Sequence, residues 1–215
     1  MPDLTFHVTG AAPVEFAASP TLSLKLLVSN ANELEAIHSV ALRCQIQLEV
    51  ARRHYTPAEK QNLADLFGEP ARWGQTLRPM LWTHVQTVVP GFRGSTSIDL
   101  ETPCTFDFNI AATKYFYGLE EGEVPLCLMF SGTVFESSEN GLQVSPISWA
   151  KEARFRLPIH VWRQMMDVYY PNTAWLCLRR DVFDRIYQYK VENGIPTWEQ
   201  TFDRMLPAVQ KAAAS

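Results

Sequence analysis

The chain has 215 residues, 47% hydrophobic and 20% charged, and a formal net charge of −4. That is enough chain to bury a core without disulfide or metal staples. It carries too little basic charge for a protein whose affinity comes from neutralising phosphates, so no nucleic-acid partner is expected. No window approaches the run of about eighteen apolar residues that a membrane span needs. Met1-Pro2-Asp3-Leu4 does not lead into a basic region and an apolar core, so no signal peptide is expected. Cys44, Cys104, Cys127 and Cys177 form no CxxC pair. The expectation is a cytoplasmic protein with reduced, mostly buried thiols.

In chain order, Leu4 to Val8 alternates apolar and polar residues as a strand does, and Val14 to Ala17 is a second short candidate. Thr21 to Val28 alternates again, and Asn30-Ala31-Asn32 reads as a turn. From Ile37 to Val50 the period of two is longest. Val40, Leu42, Cys44, Ile46, Leu48 and Val50 form a dry face, with Ala41, Arg43, Gln45, Gln47 and Glu49 between them. Thr56-Pro57-Ala58-Glu59 predicts a helix start, with Thr56 as cap, Pro57 in the first turn and Glu59 completing a capping box. Gly68 ends that short helix, and residues 69–79 read as an irregular loop carrying Arg72, Trp73 and Arg78.

Leu81 to Val89 is a strand with Trp82, His84 and Gln86 on one face. Pro90-Gly91-Phe92-Arg93-Gly94 is a turn, and Ser95 to Glu101 alternates with Asp99 and Glu101 outward. Cys104, Phe106, Phe108 and Ile110 predict a further strand. Pro125 to Phe135 is nearly continuous apolar, a strand buried on both faces or in the middle of a sheet. Asn140-Gly141 suits a hairpin turn, and Leu142 to Trp149 is the return strand. From Ile159 the period lengthens to that of helices, over about 159–170, 180–191 and 197–206, with Ala174 to Leu178 a short apolar link and Ala212 to Ser215 a frayed tail. Strands first and helices last predict an α+β fold: a β-sandwich or curved antiparallel sheet of about eight or nine strands with one short connecting helix and a C-terminal helical layer. The expected organisation is a single domain over 1–215, with a β-rich body at 1–157 and helices at 158–211 docked on it.

The chemistry-bearing residues are scattered. The five histidines lie in separate elements with no HxH or HExxH spacing. There is no GxSxG, no GxxxxGK[ST] and no GxGxxG, so no catalytic residue, metal ligand or cofactor is assigned. Arginines at a strand end, as in Arg52-Arg53, more often lie over the core edge and cap carbonyls than hold a ligand. Asp99 and Glu101 stand about 7 Å apart on one strand side and could share acid–base work. With His84 they form a candidate pocket at the sandwich mouth. Arg72, Trp73 and Arg78, with the Phe92–Arg93 turn tip, are residue types enriched at protein interfaces. Trp73 also fits a plug closing the end of the sandwich. Trp149, Trp162, Trp175 and Trp198 are expected in core or helix-to-sheet packing.

Tyr169-Tyr170-Pro171-Asn172-Thr173-Ala174-Trp175-Leu176, then Leu178, Asp181, Phe183, Tyr189-Lys190 and Gly194-Ile195-Pro196-Thr197-Trp198, together with Arg52-Arg53-x-Tyr55 and Phe67-Gly68, carry a family resemblance. The chain resembles, over nearly its whole length, a bacterial family that bears only a domain-of-unknown-function label. Genes of that family resemble neighbours of [NiFe]-hydrogenase structural and maturation genes, especially of the high-affinity uptake type. The resemblance implies an accessory role in hydrogenase assembly and transfers no catalytic residue. Two readings therefore stand. One is a non-catalytic assembly or protein-binding protein acting on a hydrogenase subunit or accessory protein, without a cofactor. The other is a small-ligand binder or enzyme using His84, Asp99 or Glu101. Homo-oligomers are compatible with either.

Overall fold

The computed structural model describes residues 2–105, 110–138, 141–173 and 176–206. They form two units, Met1–Thr173 and Ala174–Ser215. The first is built from antiparallel strands. Strand β1 (Leu4–Pro13) pairs with β2 (Thr21–Asn30). Strand β3 (Ala36–Leu48) realises the long alternation, burying Ile37, Val40, Leu42, Cys44, Ile46 and Leu48. Helices α1 (Pro57–Asn62), α2 (Ala64–Phe67) and α3 (Trp73–Thr76) follow, then β4 (Met80–Val89), the two-residue β5 (Phe92–Arg93) and β6 (Ser95–Pro103). Helix α4 (Ile110–Gly118) leads to β7 (Glu123–Ser138), β8 (Gly141–Pro146), β9 (Glu152–Pro158) and helix α5 (Ile159–Tyr169). The second unit holds α6 (Arg180–Glu192) and α7 (Trp198–Met205).

The fold is α+β, as the strand-then-helix order predicts, with nine strands in two sheets among the described residues. One sheet has the order β1-β2-β6. The other has β4-β3-β7-β8, with β5 also on β3 and β9 also on β7. All pairings are antiparallel. The inner faces meet in one core, where Leu22, Leu24, Leu26 and Val28 of β2 join Leu126, Leu128 and Phe130 of β7, all buried. Phe6 stacks on Phe130 with ring centroids 4.2 Å apart. Helix α5 adds Ile159, Val161, Trp162, Met165 and Met166 to this core, the stripe its 3.6-residue period predicts.

Several elements differ from the sequence expectation. Val14–Ala17 lies in a turn, where Phe16 takes φ 57°, instead of a strand. Residues 57–76 hold three short helices instead of one. Ile110 opens helix α4, while residues 106–109 of the expected strand lie outside the described residues. Asn140, Ala174, Trp175 and the tail from 212 also lie outside them. Strand β9 was hidden in sequence by its charged Glu152, Arg154 and Arg156, which alternate with Ala153, Phe155 and Leu157 on an edge. In β4 the register shifts between Thr83 and Leu81, so two residues oppose one and Trp82 turns into the core beside Thr83. Trp82 thereby leaves the face it shares with His84 in a regular strand.

In the second unit, Thr197 caps α7 by accepting a hydrogen bond from the Gln200 amide at 3.2 Å. Phe183, Tyr187, Trp198 and Phe202 form its ring cluster, and Lys190 lies 5.8 Å from the Trp198 ring centre. No residue of α6 is fully buried.

One backbone position constrains the central ladder. Gly132 of β7 has φ +141°, and a Cβ there would stand 2.0 Å from the Ala41 carbonyl oxygen of β3. Gly132→Ala should cost at least about 3 kcal/mol through strain and overpacking. In a chain of this size that lowers the melting temperature by roughly 6–12 °C. Thermal unfolding followed by circular dichroism checks this, and an unchanged melt would refute the packing argument.

Candidate functional site

The end of β3 delivers Arg53 and Tyr55 to a dense knot. The Arg53 side chain is 8% exposed and its partner Glu59 1%. Arg53 Nη2 donates to Glu59 Oε1 at 2.6 Å and to the Glu121 carbonyl at 2.5 Å, and Nη1 donates to the Glu123 carbonyl at 2.6 Å. Glu59 also accepts from the amides of Glu120 at 2.9 Å and Thr56 at 3.0 Å. The capping box visible in sequence thus uses a carboxylate that simultaneously neutralises an arginine and ties down the turn before β7. Burial acts to raise the Glu59 pKa. The two amides and the guanidinium outweigh it and hold the carboxyl below its ordinary value.

Tyr55 continues the knot. Its hydroxyl donates to the Val50 carbonyl at 2.7 Å, which leaves the buried Tyr115 hydroxyl, 3.0 Å away, as donor to Tyr55. Burial pushes Tyr55 up to about 12, against the opposing influence of Tyr115 and Arg53. Trp73 is wedged edge-on against Tyr55 and Phe67 at 5.2 and 5.5 Å, with its indole N–H donating to the Gly68 carbonyl at 3.0 Å. A cleft of about 710 Å³ opens beside the knot, lined by Arg53, His54, Glu120, Glu121 and Arg163 among others. Its charged groups are largely engaged: Arg53 by Glu59, Glu120 by the Thr56 hydroxyl at 3.0 Å, and Arg163 by the Leu119 carbonyl.

The residues singled out in sequence are dispersed. Trp73 is buried, while Arg72, Arg78 and Arg93 are exposed and Phe92 is half-buried where β5 meets β3. Arg78 donates to its own neighbours, the Gln75 and Leu77 carbonyls. His84 stands on the outer face of β4, 3.3 Å from Gln45. Asp99 and Glu101 stand on β6 in the other sheet, exposed, and Asp99 accepts from Ser23 at 2.7 Å. None of the three lines the cleft beside the knot, and β4 and β6 belong to different sheets. Cys44 and Cys104 are buried thiols pushed up to about 12, chiefly by desolvation, and so are poor nucleophiles. Among the described residues no group of three or more His, Cys, Asp or Glu is placed to hold a metal ion, and no helix is long and apolar enough to cross a membrane.

At the opposite end of β3 the outer sheet face is apolar. Register places Val88 of β4, Ala41 of β3, Thr133 of β7 and Pro146 of β8 in one row across the sheet. The next row runs from Ser39 through Phe135 to Val144, and Leu142 lies two residues further along β8. Val88 is 67% exposed, Val144 61% and Leu142 56%. Beyond β8, Trp149 in the turn to β9 is 92% exposed, which corrects its expected place in the core. Sequence reading passed over this face because each residue is an ordinary apolar member of an alternating strand. Only the pairing register brings them together.

The knot generates three expectations. Arg53→Met leaves Glu59 as a buried carboxylate without its cation and should cost about 3–5 kcal/mol. Denaturant unfolding measures it. Because the folded pKa of Glu59 lies below its unfolded value, its contribution is present above the unfolded value and is lost as pH falls through the folded one. Glu59→Gln should therefore flatten the acid limb of the stability-versus-pH curve, and an unchanged limb would exclude Glu59 as its source. Trp73→Ala should cost about 3–5 kcal/mol as a buried wedge. A loss under 1 kcal/mol in the same unfolding assay would show that the ring is dispensable to the fold.

No curated protein matches the chain significantly. Among solved structures, a Bordetella pertussis protein carried under the name ApaA aligns with 73% of this chain and 93% of its own, at 14% identity and a TM-score of 0.25. A likeness that low carries no information on how this chain works. A family model does match from residue 1 to residue 214. With its packed knot at one end of β3 and an apolar face at the other, the chain belongs to DUF6084, a family of unknown function.

Proposed function

We propose that this is a non-catalytic protein-binding protein, an accessory factor that engages a subunit or maturation partner of an uptake [NiFe]-hydrogenase in the cytoplasm. The observation that carries the binding role is the apolar outer face of the six-stranded sheet, where Val88, Phe135, Val144 and Leu142 are lined up by strand register. Apolar side chains fixed on paired strands lose little further freedom on binding, so their burial goes into affinity. The buried thiols and the engaged charges of the Arg53 cleft offer no comparable starting point for chemistry. The hydrogenase assignment rests on the family resemblance carried by Arg52-Arg53-x-Tyr55 and the segment from Tyr169 to Trp198.

The test mixes the purified chain with purified large and small hydrogenase subunits from its own host and measures binding by calorimetry. The expected result is saturable binding to one subunit that Val88→Asp weakens at least about tenfold, because a carboxylate must then be desolvated at the contact. Absence of binding to either subunit, and to the host's purified hydrogenase maturation proteins in the same assay, overturns the hydrogenase assignment. Wild-type affinity in Val88→Asp overturns the placement of the surface.

A further inference from the structure

Strand β8 is an unusual edge. Of its residues only Ser145 is even half-buried, so its side chains contribute little to the core. It is held by its ladder to β7 at the edge of the six-stranded sheet, and no other described strand pairs with its far side. Edges that must stay single are guarded by charge, by proline or by a bulge, and the neighbouring edge strand β9 carries Glu152, Arg154 and Arg156, whereas the proline of β8, Pro146, stands at its end and leaves Leu142 and Val144 unguarded. Strand β8, Gly-Leu-Gln-Val-Ser-Pro, carries no formal charge.

The direction of its free hydrogen-bonding groups follows from the ladder. The Ile147 amide donates to the Gly132 carbonyl at 2.9 Å, and Ser138 lies opposite Gly141 at the hairpin end. Antiparallel pairing alternates, so Gly141, Gln143 and Ser145 direct their backbone groups at β7. Leu142 and Val144 direct theirs outward, and Pro146 has no N–H to offer.

Resting on the protein-binding reading above, we propose that β8 pairs antiparallel with β8 of a second copy of this chain, about a two-fold axis at Gln143. Leu142 of each copy then exchanges both backbone hydrogen bonds with Val144 of the other, which uses every outward N–H of the strand. Gln143 faces its own counterpart. The pairing opposes no like charges, because the strand has none, which is the condition a self-complementary edge has to meet. Leu142 and Val144 of one copy abut Val144 and Leu142 of the other on the outer face. The two apolar faces join across the axis, and the surface proposed to take the partner is completed by the second copy.

The register makes the test specific. Facing residues in a non-hydrogen-bonded antiparallel pair have Cα atoms about 4.5 Å apart, inside the span of a disulfide of roughly 4.4–6.8 Å. Gln143→Cys, in a Cys177→Ser background that removes the exposed native thiol, should give a covalent dimer under mild oxidation. Leu142→Cys should not, since it faces Val144. In sedimentation velocity at tens of micromolar the wild type should run as a dimer. Val144→Pro, which deletes only an outward N–H, and Gln143→Lys, which sets two ammonium groups face to face, should run as monomers whose circular-dichroism spectra match that of the wild type and whose melting temperature, unlike that of the wild type, does not rise with concentration. A monomeric wild type, a dimer surviving in both variants, or equal crosslinking at 142 and 143 overturns the pairing. No partner protein enters these measurements. A dimer that binds no hydrogenase subunit or maturation protein overturns the functional reading alone, and a monomer that binds one overturns the pairing alone.

Discussion

Strand β3 is hydrogen-bonded along both edges, to β4 on one side and β7 on the other, and its alternation sets the architecture of the body. A slip of one residue would carry Val40, Leu42, Cys44, Ile46 and Leu48 from the core to the solvent face, so the register is fixed by the burial of that face. Gly132 is the condition for the tight approach of β7, since any side chain there would run into the Ala41 carbonyl. With the register fixed, the two ends of β3 acquire different characters.

At the C-terminal end of β3 the chain is locked by polar groups. Arg53 reaches across to the Glu121 carbonyl in the turn before β7, to the carbonyl of Glu123 that opens β7 and to Glu59 at the start of α1, so segments about seventy residues apart are joined through one guanidinium. Such a pair contributes little net stability over an apolar replacement, but it tolerates no half-measures, because either partner left alone is a buried charge. Tyr55, Trp73, Phe67 and Tyr115 surround it with ring edges. Arg53, which the sequence suggests as a carbonyl cap, and Trp73, which fits a plug or an interface equally, are here both held in the scaffold.

At the other end the sheet faces outward with aliphatic side chains and finishes in β8. A rigid apolar face beside an uncharged edge combines two recognised modes of protein association, burial of side chains and extension of a sheet. They act on the same strand, because in β8 the side chains of Leu142 and Val144 lie on the apolar face while their backbone groups lie on the free edge. The proposed partner binding and the proposed self-association would thereby be linked through one element of six residues.

The sequence by itself determined the elements whose signals are local. The period of two in β3, the shift to helical spacing at Ile159, the Thr56–Glu59 capping box and the Thr197 cap all depend on residues within a few positions of each other, and all are present. The family resemblance was legible as well, in motifs spread over most of the chain. Other features depend on distant parts of the chain, and only the tertiary structure decided them. Helix α4 is rich in aromatic residues that suit a strand equally well, and its surroundings, with Tyr115 and Phe116 wholly buried, select the helix. Trp82 turns inward through a bulge that no residue type announces. Glu59 shows in sequence as a cap, but its arginine and the Glu120 amide arrive from other elements. Val88, Phe135 and Val144 are alternating apolar residues on three separate strands, and they become one surface because the ladder sets them side by side. Local propensity is written in neighbouring residues, whereas a surface or a buried ion pair exists only where long-range register brings separate segments into contact.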